Sequence, residues 1–102
     1  MDLMTSNDIL SLINRRERQL LVHSYIYYEL DDSIIPDDQW SKWGFELARL
    51  RDEYPDIYER SEYADAFRNF DGSTGFDLYG FYMHSDIISK ALYLLQINKK
   101  GK

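Results

Sequence analysis

The sequence predicts a mainly α fold, in which an antiparallel helical hairpin is followed by an irregular aromatic loop region and a further C-terminal helix. Residues 7–30 contain no glycine or proline, and apolar side chains recur there every three or four positions. Similar periodicity covers 37–54 and 85–98. Because the chain has 102 residues and no long linker, we expect a single helical domain, 1–102.

The first helix is predicted to start near residues 5–7, whose Thr, Ser and Asn side chains all suit an N-cap, with Asp8 adding negative charge to the first turn. One face is expected to be buried, formed by Ile9, Leu12, Ile13, Arg16, Leu20, His23, Tyr27 and Leu30. Arg15, Arg16 and Arg18 form a basic band along this helix. We expect the band to pair with the chain's own carboxylates, with a phosphate or an acidic partner as the alternative.

The second helix is predicted to follow a short acidic turn, because residues 31–35 break the periodicity. Pro36 suits a helix start, and Asp37 and Asp38 suit the first turn, where the helix dipole favours carboxylates. Pro55 is expected to end the helix. Its predicted inward face comprises Trp40, Trp43, Gly44, Leu47, Leu50 and Tyr54. So short a turn between two helices indicates an antiparallel hairpin.

The region between this hairpin and the last helix has weaker signals. Residues 56–70 are predicted to be weakly helical, and 71–75 form a loop signal rich in Gly and Ser. The aromatic segment 76–84 suits an extended connection or a short strand pair. Ser85 is predicted to cap the last helix. The expected inward face of this helix comprises Ile87, Ile88, Ala91, Leu92, Leu94 and Leu95.

Composition excludes several classes of function. The net charge is −6, whereas proteins that bind nucleic acid directly carry a basic surface, so direct nucleic-acid binding is not expected. The chain has no cysteine, and the spacing of His23 and His84 matches no metal site, so we expect no bound metal. Asp2 and Asp8 occupy positions where a secretory signal would be basic, and no apolar run is long enough for a membrane span. These features predict a cytoplasmic protein that does not bind membranes.

A sequence of motifs across the predicted hairpin, 7–54, points to a known family. The helix end 23–28 (HSYIYY) leads into the acidic turn 29–34 (ELDDSI), the helix start 35–37 (IPD) follows, and Trp-Ser stands at 40–41. This order resembles the small N-terminal (Ia) helical domain of bacterial NAD-dependent DNA ligases, which binds the nicotinamide mononucleotide half of NAD. The resemblance needs no gap and implies a stand-alone relative of a kind that bacterial viruses and prophages can carry.

The resemblance also implies a cofactor site. Tyr27, Tyr28 and Asp37 match the family's nucleotide-contacting positions, and Trp40 keeps an aromatic ring where the family has Tyr. An aromatic face attracts the cationic nicotinamide ring, and a carboxylate accepts hydrogen bonds from ribose hydroxyls. Ser41 departs from the family, which has Asp at this position. We therefore expect no obligatory cofactor, with NAD as the alternative.

The chain is not expected to be an enzyme. Ligases form their enzyme–AMP bond through the lysine of a Lys-x-Asp-Gly motif, and here Asn69 occupies the lysine position. Amide nitrogen cannot act as that nucleophile. A coincidental loop signal explains the Asn-Phe-Asp-Gly sequence, and 102 residues leave no room for a nucleotidyltransferase domain.

Two hypotheses for function follow. The first is a non-enzymatic phage-type interaction protein that modulates a host nucleic-acid or defence enzyme through an acidic face formed by Asp31, Asp32, Asp37 and Asp38. Its partner would present a basic surface. The alternative is an accessory module that binds NAD or nicotinamide mononucleotide. Any exposed rings among Tyr63, Phe76, Tyr79, Phe81 and Tyr82 are the next candidates for partner binding. The partner's identity and the oligomeric state stay open.

Overall fold

A computed structural model describes residues 4–100 of the chain, and side chains up to residue 98. The helices are α1 (Ser6–Glu29), α2 (Asp37–Glu53), α3 (Pro55–Tyr58), a 3-10 helix (Phe76–Leu78), α4 (Tyr79–Tyr82) and α5 (Ser85–Lys100). Within the described residues there is no strand, so the predicted mainly α fold with a helical hairpin is confirmed. None of the described helices is long and apolar enough to cross a membrane. The prediction based on Asp2 lies outside the described residues.

The N-terminus of α1 is fixed by a reciprocal capping box. The backbone N–H of Asp8 donates to the Thr5 hydroxyl, and the backbone N–H of Thr5 donates to the Asp8 carboxylate, each over 3.1 Å. These bonds satisfy two donors that a helix start would otherwise leave unpaired. The predicted start of the helix is therefore confirmed, and Thr5 is the cap among the three candidates at 5–7.

Helix α1 is the central element of the fold and is packed from more than one side. Leu20, Leu21 and Val22 are consecutive and all buried, although successive helical residues point about 100° apart. Helices α2, α4 and α5 all contact α1 and together cover it. The prediction of a single buried face was therefore too narrow, and it was wrong for Tyr27, which is exposed.

The chain reverses between α1 and α2 through a left-handed residue. Asp31 has a φ of 52°, a conformation that Asp tolerates better than most residues, and the N–H of Asp32 donates to the Ile26 carbonyl. Pro36 is the N-cap of α2, one position before the predicted first turn, and Asp37 begins the helix. This geometry brings the C-terminal end of α1 beside the N-terminal end of α2.

Helix α2 buries a narrow strip and ends where predicted. Gly44, Leu47 and Leu50 are buried against the core, and the helix stops before Pro55. Tyr54 was predicted to face inward, but it lies at the C-cap with unusual backbone angles and is exposed.

Two members of the basic band on α1 pair with carboxylates of the chain, as expected. The pairs are Arg16 with Glu46 and Arg18 with Glu62.

A buried carboxylate attaches the turns after α3 to α1. Glu17 is fully buried, and it accepts hydrogen bonds from the Ser61 hydroxyl at 2.7 Å and the Tyr63 backbone N–H at 3.0 Å. Burial raises the pKa of Glu17 to about 7, although both hydrogen bonds oppose the rise. One helical turn away, the Asn14 side chain accepts a hydrogen bond from the backbone N–H of Glu62.

The segment 56–70, which was predicted to be weakly helical, is helical only at its start, where α3 (Pro55–Tyr58) ends. Most of the rest of the segment consists of turns.

The aromatic segment before α5 is helical, so the prediction of an extended connection or strand pair was wrong. Leu78 and Tyr82 are buried four residues apart, whereas Phe76 and Tyr79 are exposed, which is a helical rather than an alternating pattern. The buried residues of α5 are Ile87, Ala91 and Leu95. Leu92, predicted to face inward, is exposed.

Candidate ligand-binding site

A cavity of about 170 Å³ lies where four segments of the chain meet. These segments are the last turns of α1, the link 33–36, the first turn of α2 and the loop 73–75. The hairpin turn positions the first three segments, and the loop closes the fourth side. The wall therefore combines helix ends, which provide fixed side chains, with irregular backbone.

All four residues predicted as cofactor contacts line this cavity. Tyr27 and Tyr28 occupy the last turn of α1, and Asp37 and Trp40 are three residues apart at the start of α2. Residues three apart on a helix share a face, which explains why the carboxylate and the indole reach the same space. Ser41, where the ligase family has Asp, also lines the cavity.

Two cavity-lining side chains that sequence reasoning did not select carry polar atoms without a partner. Neither the hydroxyl of Ser24 nor Nδ1 of His23 has a hydrogen-bond partner among the described residues, and both atoms are buried. Burial lowers the pKa of His23, so the imidazole is neutral near pH 7 and offers one donor and one acceptor nitrogen. The His23 ring packs 5.7 Å from the Trp43 ring. Unpaired buried polar groups are costly, so these two atoms are available to pair with an ordered water or with a polar ligand.

The loop 73–75 approaches α1 and α2 so closely that a Cβ atom at position 75 would force a neighbouring side chain to shift. A Cβ atom on Gly75 would overlap the Ser24 hydroxyl and lie 3.0 Å from the indole of Trp40. Beside it, the hydroxyls of Thr74 and Tyr28 form a hydrogen bond of 3.1 Å across the cavity rim. Nothing in the sequence indicated that the loop returns to the hairpin.

The loop is held from its N-terminal side by one carboxylate. Asp71 accepts hydrogen bonds from the backbone N–H and the hydroxyl of Ser73, at 2.9 and 2.6 Å. These two hydrogen bonds stabilise the carboxylate form and hold the pKa of Asp71 below its ordinary value. Gly72, with a φ of 91°, lies in the same turn, where a side chain would be strained.

The predicted acidic face divides between the cavity and the open surface. Asp31, Asp32, Asp37 and Asp38 are all exposed, and Asp37 alone among them lines the cavity. Asp38 lies 3.8 Å from the ammonium group of Lys42, an exposed pair that contributes little stability. Asp37 is therefore the one carboxylate of the predicted acidic face at the cavity, whose lining also includes the rings of Tyr27, Tyr28 and Trp40.

The described residues contain no group of three or more His, Cys, Asp or Glu side chains that could hold a metal ion. The cavity instead offers aromatic rings, one carboxylate and neutral hydrogen-bonding groups, a set suited to an organic ligand with a planar, electron-poor ring. Comparisons with protein-family models, with curated proteins and with solved structures found no match to this chain.

Proposed function

We propose that this chain binds the nicotinamide mononucleotide half of NAD in the cavity between α1 and α2. The observation that carries the proposal is convergence: Tyr27, Tyr28, Asp37 and Trp40, chosen by resemblance to the ligase domain, all line one cavity. The hairpin turn brings these four residues close together, and the space between them forms a cavity rather than a packed contact. Convergence thus supports a ligand site, and the residue types favour a cationic ring.

The volume of the cavity suits a single aromatic ring of the ligand rather than the whole nucleotide. A cavity of about 150 Å³ is known to accept benzene, and sites for drug-sized ligands span roughly 300–1,000 Å³. At about 170 Å³, the cavity matches the nicotinamide ring rather than the whole nucleotide. The ribose and phosphate would then lie at the entrance, beside Asp37.

The chemistry of the walls fits the same ligand. Oxidised nicotinamide carries a positive charge, which the faces of Tyr27 and Trp40 and the Asp37 carboxylate favour. Its carboxamide both donates and accepts hydrogen bonds, and the unpartnered Ser24 hydroxyl and His23 Nδ1 can pair with it. Binding would relieve two unpaired buried groups at once.

Calorimetric titration with NAD, nicotinamide mononucleotide and NADH tests this proposal. We expect micromolar binding of the two oxidised ligands and roughly tenfold weaker binding of NADH, because its reduced ring has lost the positive charge. Trp40→Ala and Asp37→Asn should weaken binding, whereas the matched variant Asp52→Asn, an exposed carboxylate outside the cavity, should not. Absence of heat with both oxidised ligands, or equal affinity for NADH, would contradict the proposal.

The second candidate is the interaction role, in which a non-enzymatic phage-type protein modulates a host nucleic-acid or defence enzyme. The observation that favours it is the exposure of Asp31, Asp32, Asp37 and Asp38 in a chain of net charge −6. Changing all four to Asn should weaken capture of a basic partner from a host lysate and flatten its salt dependence, since steering depends on summed charge. Unchanged capture at low salt would locate the contact elsewhere. Nucleotide binding with no captured partner would leave only the first candidate.

A further inference from the structure

A second surface, which shares two of its four rings with the cavity lining, is formed by exposed rings. We define the aromatic patch as Tyr27, Tyr28, Phe76 and Tyr79. Three of these rings are more than half exposed: Phe76 at 71%, Tyr79 at 56% and Tyr27 at 55%. Phe76 and Tyr79 do not line the cavity. Adjacent exposed rings at such density typically mark interaction sites.

The rings of the aromatic patch are held in place by contacts with each other and with a buried ring beneath them. Tyr28 lies 5.0 Å from Tyr27 and 6.2 Å from Phe76, measured between ring centroids. Tyr82 stacks parallel to Tyr28 and contacts Tyr79, and its hydroxyl donates to Glu29 at 2.8 Å. A surface fixed in advance loses little entropy on binding, which favours a docking role.

The two segments that supply the rings of the aromatic patch carry charge of one sign. The segments 24–38 and 69–89, which supply all four rings, contain eight acidic residues and no lysine or arginine. Glu29 lies beside Tyr82, and Asp77 follows Phe76 on the same 3-10 helix, where it is exposed. A complementary partner must therefore bring positive charge together with a group that packs on rings.

We propose that the aromatic patch docks an arginine-bearing peptide segment of a partner protein. A guanidinium is planar, stacks on tyrosine faces and pairs with a carboxylate at its edge, whereas the lysine ammonium is a compact, strongly hydrated point charge. The aromatic patch offers the rings, and Glu29 and Asp77, from the segments that supply them, offer the carboxylates. The argument for docking does not require that a nucleotide binds, and it assigns partner contact to the rings rather than to the acidic turn alone.

Fluorescence anisotropy with two labelled nonapeptides tests the proposal. In one peptide, arginine alternates with glycine and serine; in the other, lysine replaces every arginine at equal length and charge. We expect the arginine peptide to bind about fivefold more tightly to the unaltered chain. The double variant Phe76→Ala/Tyr79→Ala should remove this preference. The matched control Tyr93→Ala, an exposed ring on α5 at 57%, should keep it.

Each other outcome overturns the proposal. Equal affinity for the two peptides, or a preference that survives the double variant, would mean that charge alone drives binding. A second variant changes the four acidic-turn residues Asp31, Asp32, Asp37 and Asp38 to Asn. If this variant loses peptide binding and the double ring variant keeps it, the contact belongs to the acidic turn. If sedimentation shows self-association that only the double variant loses, the patch is an interface between copies of this chain. The nucleotide titration on the same variants keeps the two proposals separable, because Phe76 and Tyr79 lie outside the cavity.

Discussion

Replacing the buried Glu17 by Gln is expected to remove most of the dependence of stability on pH between about 5 and 8. The folded protein holds a proton on Glu17 up to a pKa of about 7, whereas the ordinary pKa of an exposed carboxyl of this type is 4.5. The folded state therefore binds more protons than the unfolded chain in this interval. Because the folded pKa is raised, the contribution of Glu17 is complete below pH 4.5 and is lost as pH rises through about 7.

The magnitude follows from the two pKa values. Each tenfold change in proton affinity corresponds to about 1.4 kcal/mol, so values of 4.5 and about 7 amount to about 3 kcal/mol across the transition. In a domain of this size, that free energy moves the melting temperature by at least about 10 °C. Glutamine has nearly the same volume, its carbonyl can accept from the Tyr63 N–H, and its amide can donate to Ser61. The substitution thus keeps the hydrogen bonds and removes the charge.

Urea unfolding of both proteins at pH 5, 6, 7 and 8 measures the effect. We expect the two curves to meet near pH 5 and the Glu17→Gln variant to be more stable at pH 8, by an amount on the order of 1–3 kcal/mol. The matched control Glu53→Gln, an exposed carboxylate at the end of α2, should follow the unaltered protein at every pH. Parallel curves for the Glu17→Gln variant and the unaltered chain would refute the argument that burial controls this carboxyl.

Further substitutions test the site and the fold. Gly75→Ala is expected to abolish nucleotide binding and to cost about 1–3 kcal/mol in unfolding free energy, because its Cβ would overlap Ser24. Gly80→Ala, where a Cβ has no atom within 4 Å, should keep binding and stabilise by up to about 1 kcal/mol, so equal losses would contradict the packing argument. Thr5→Ala should cost about 1 kcal/mol in urea unfolding by removing the capping bond to Asp8; no loss would mean that the helix start frays in solution.

The long helices could be predicted because their signals are local. The cap at Thr5, the break at residues 31–35 and the stop at Pro55 each act within a few positions, and the observed ends of the predicted helices lie within two residues of the predictions. Inward faces were less predictable, since burial depends on which elements surround a helix. The sequence could not indicate that α1 is covered by several helices, or that Leu92 on α5 is not covered.

The cavity was predictable only in part, because two of its walls depend on contacts distant in sequence. Tyr27, Tyr28, Asp37 and Trp40 lie close to the hairpin turn, so the resemblance was sufficient to select them together. The loop 73–75 reaches Ser24 from about fifty positions away, and no periodicity encodes that return. The burial of Glu17 was unpredictable for the same reason, because its partners Ser61 and Tyr63 follow α3 in the chain. In the sequence alone, Glu17 is an ordinary acidic residue of a solvated helix.

Tyr28 connects the two proposed surfaces physically. Its hydroxyl bonds to Thr74 at the cavity rim, while its ring stacks on Tyr82 and contacts Phe76 in the aromatic patch. A nucleotide that displaces Thr74 would change the restraint on this ring, and a guanidinium stacked on the ring would change the restraint on Thr74. Since coupling between two binding equilibria is reciprocal, each ligand would alter the affinity of the other by the same factor. The hairpin turn, which brings the end of α1 to the start of α2, would in this way serve both sites through side chains that the two sites share.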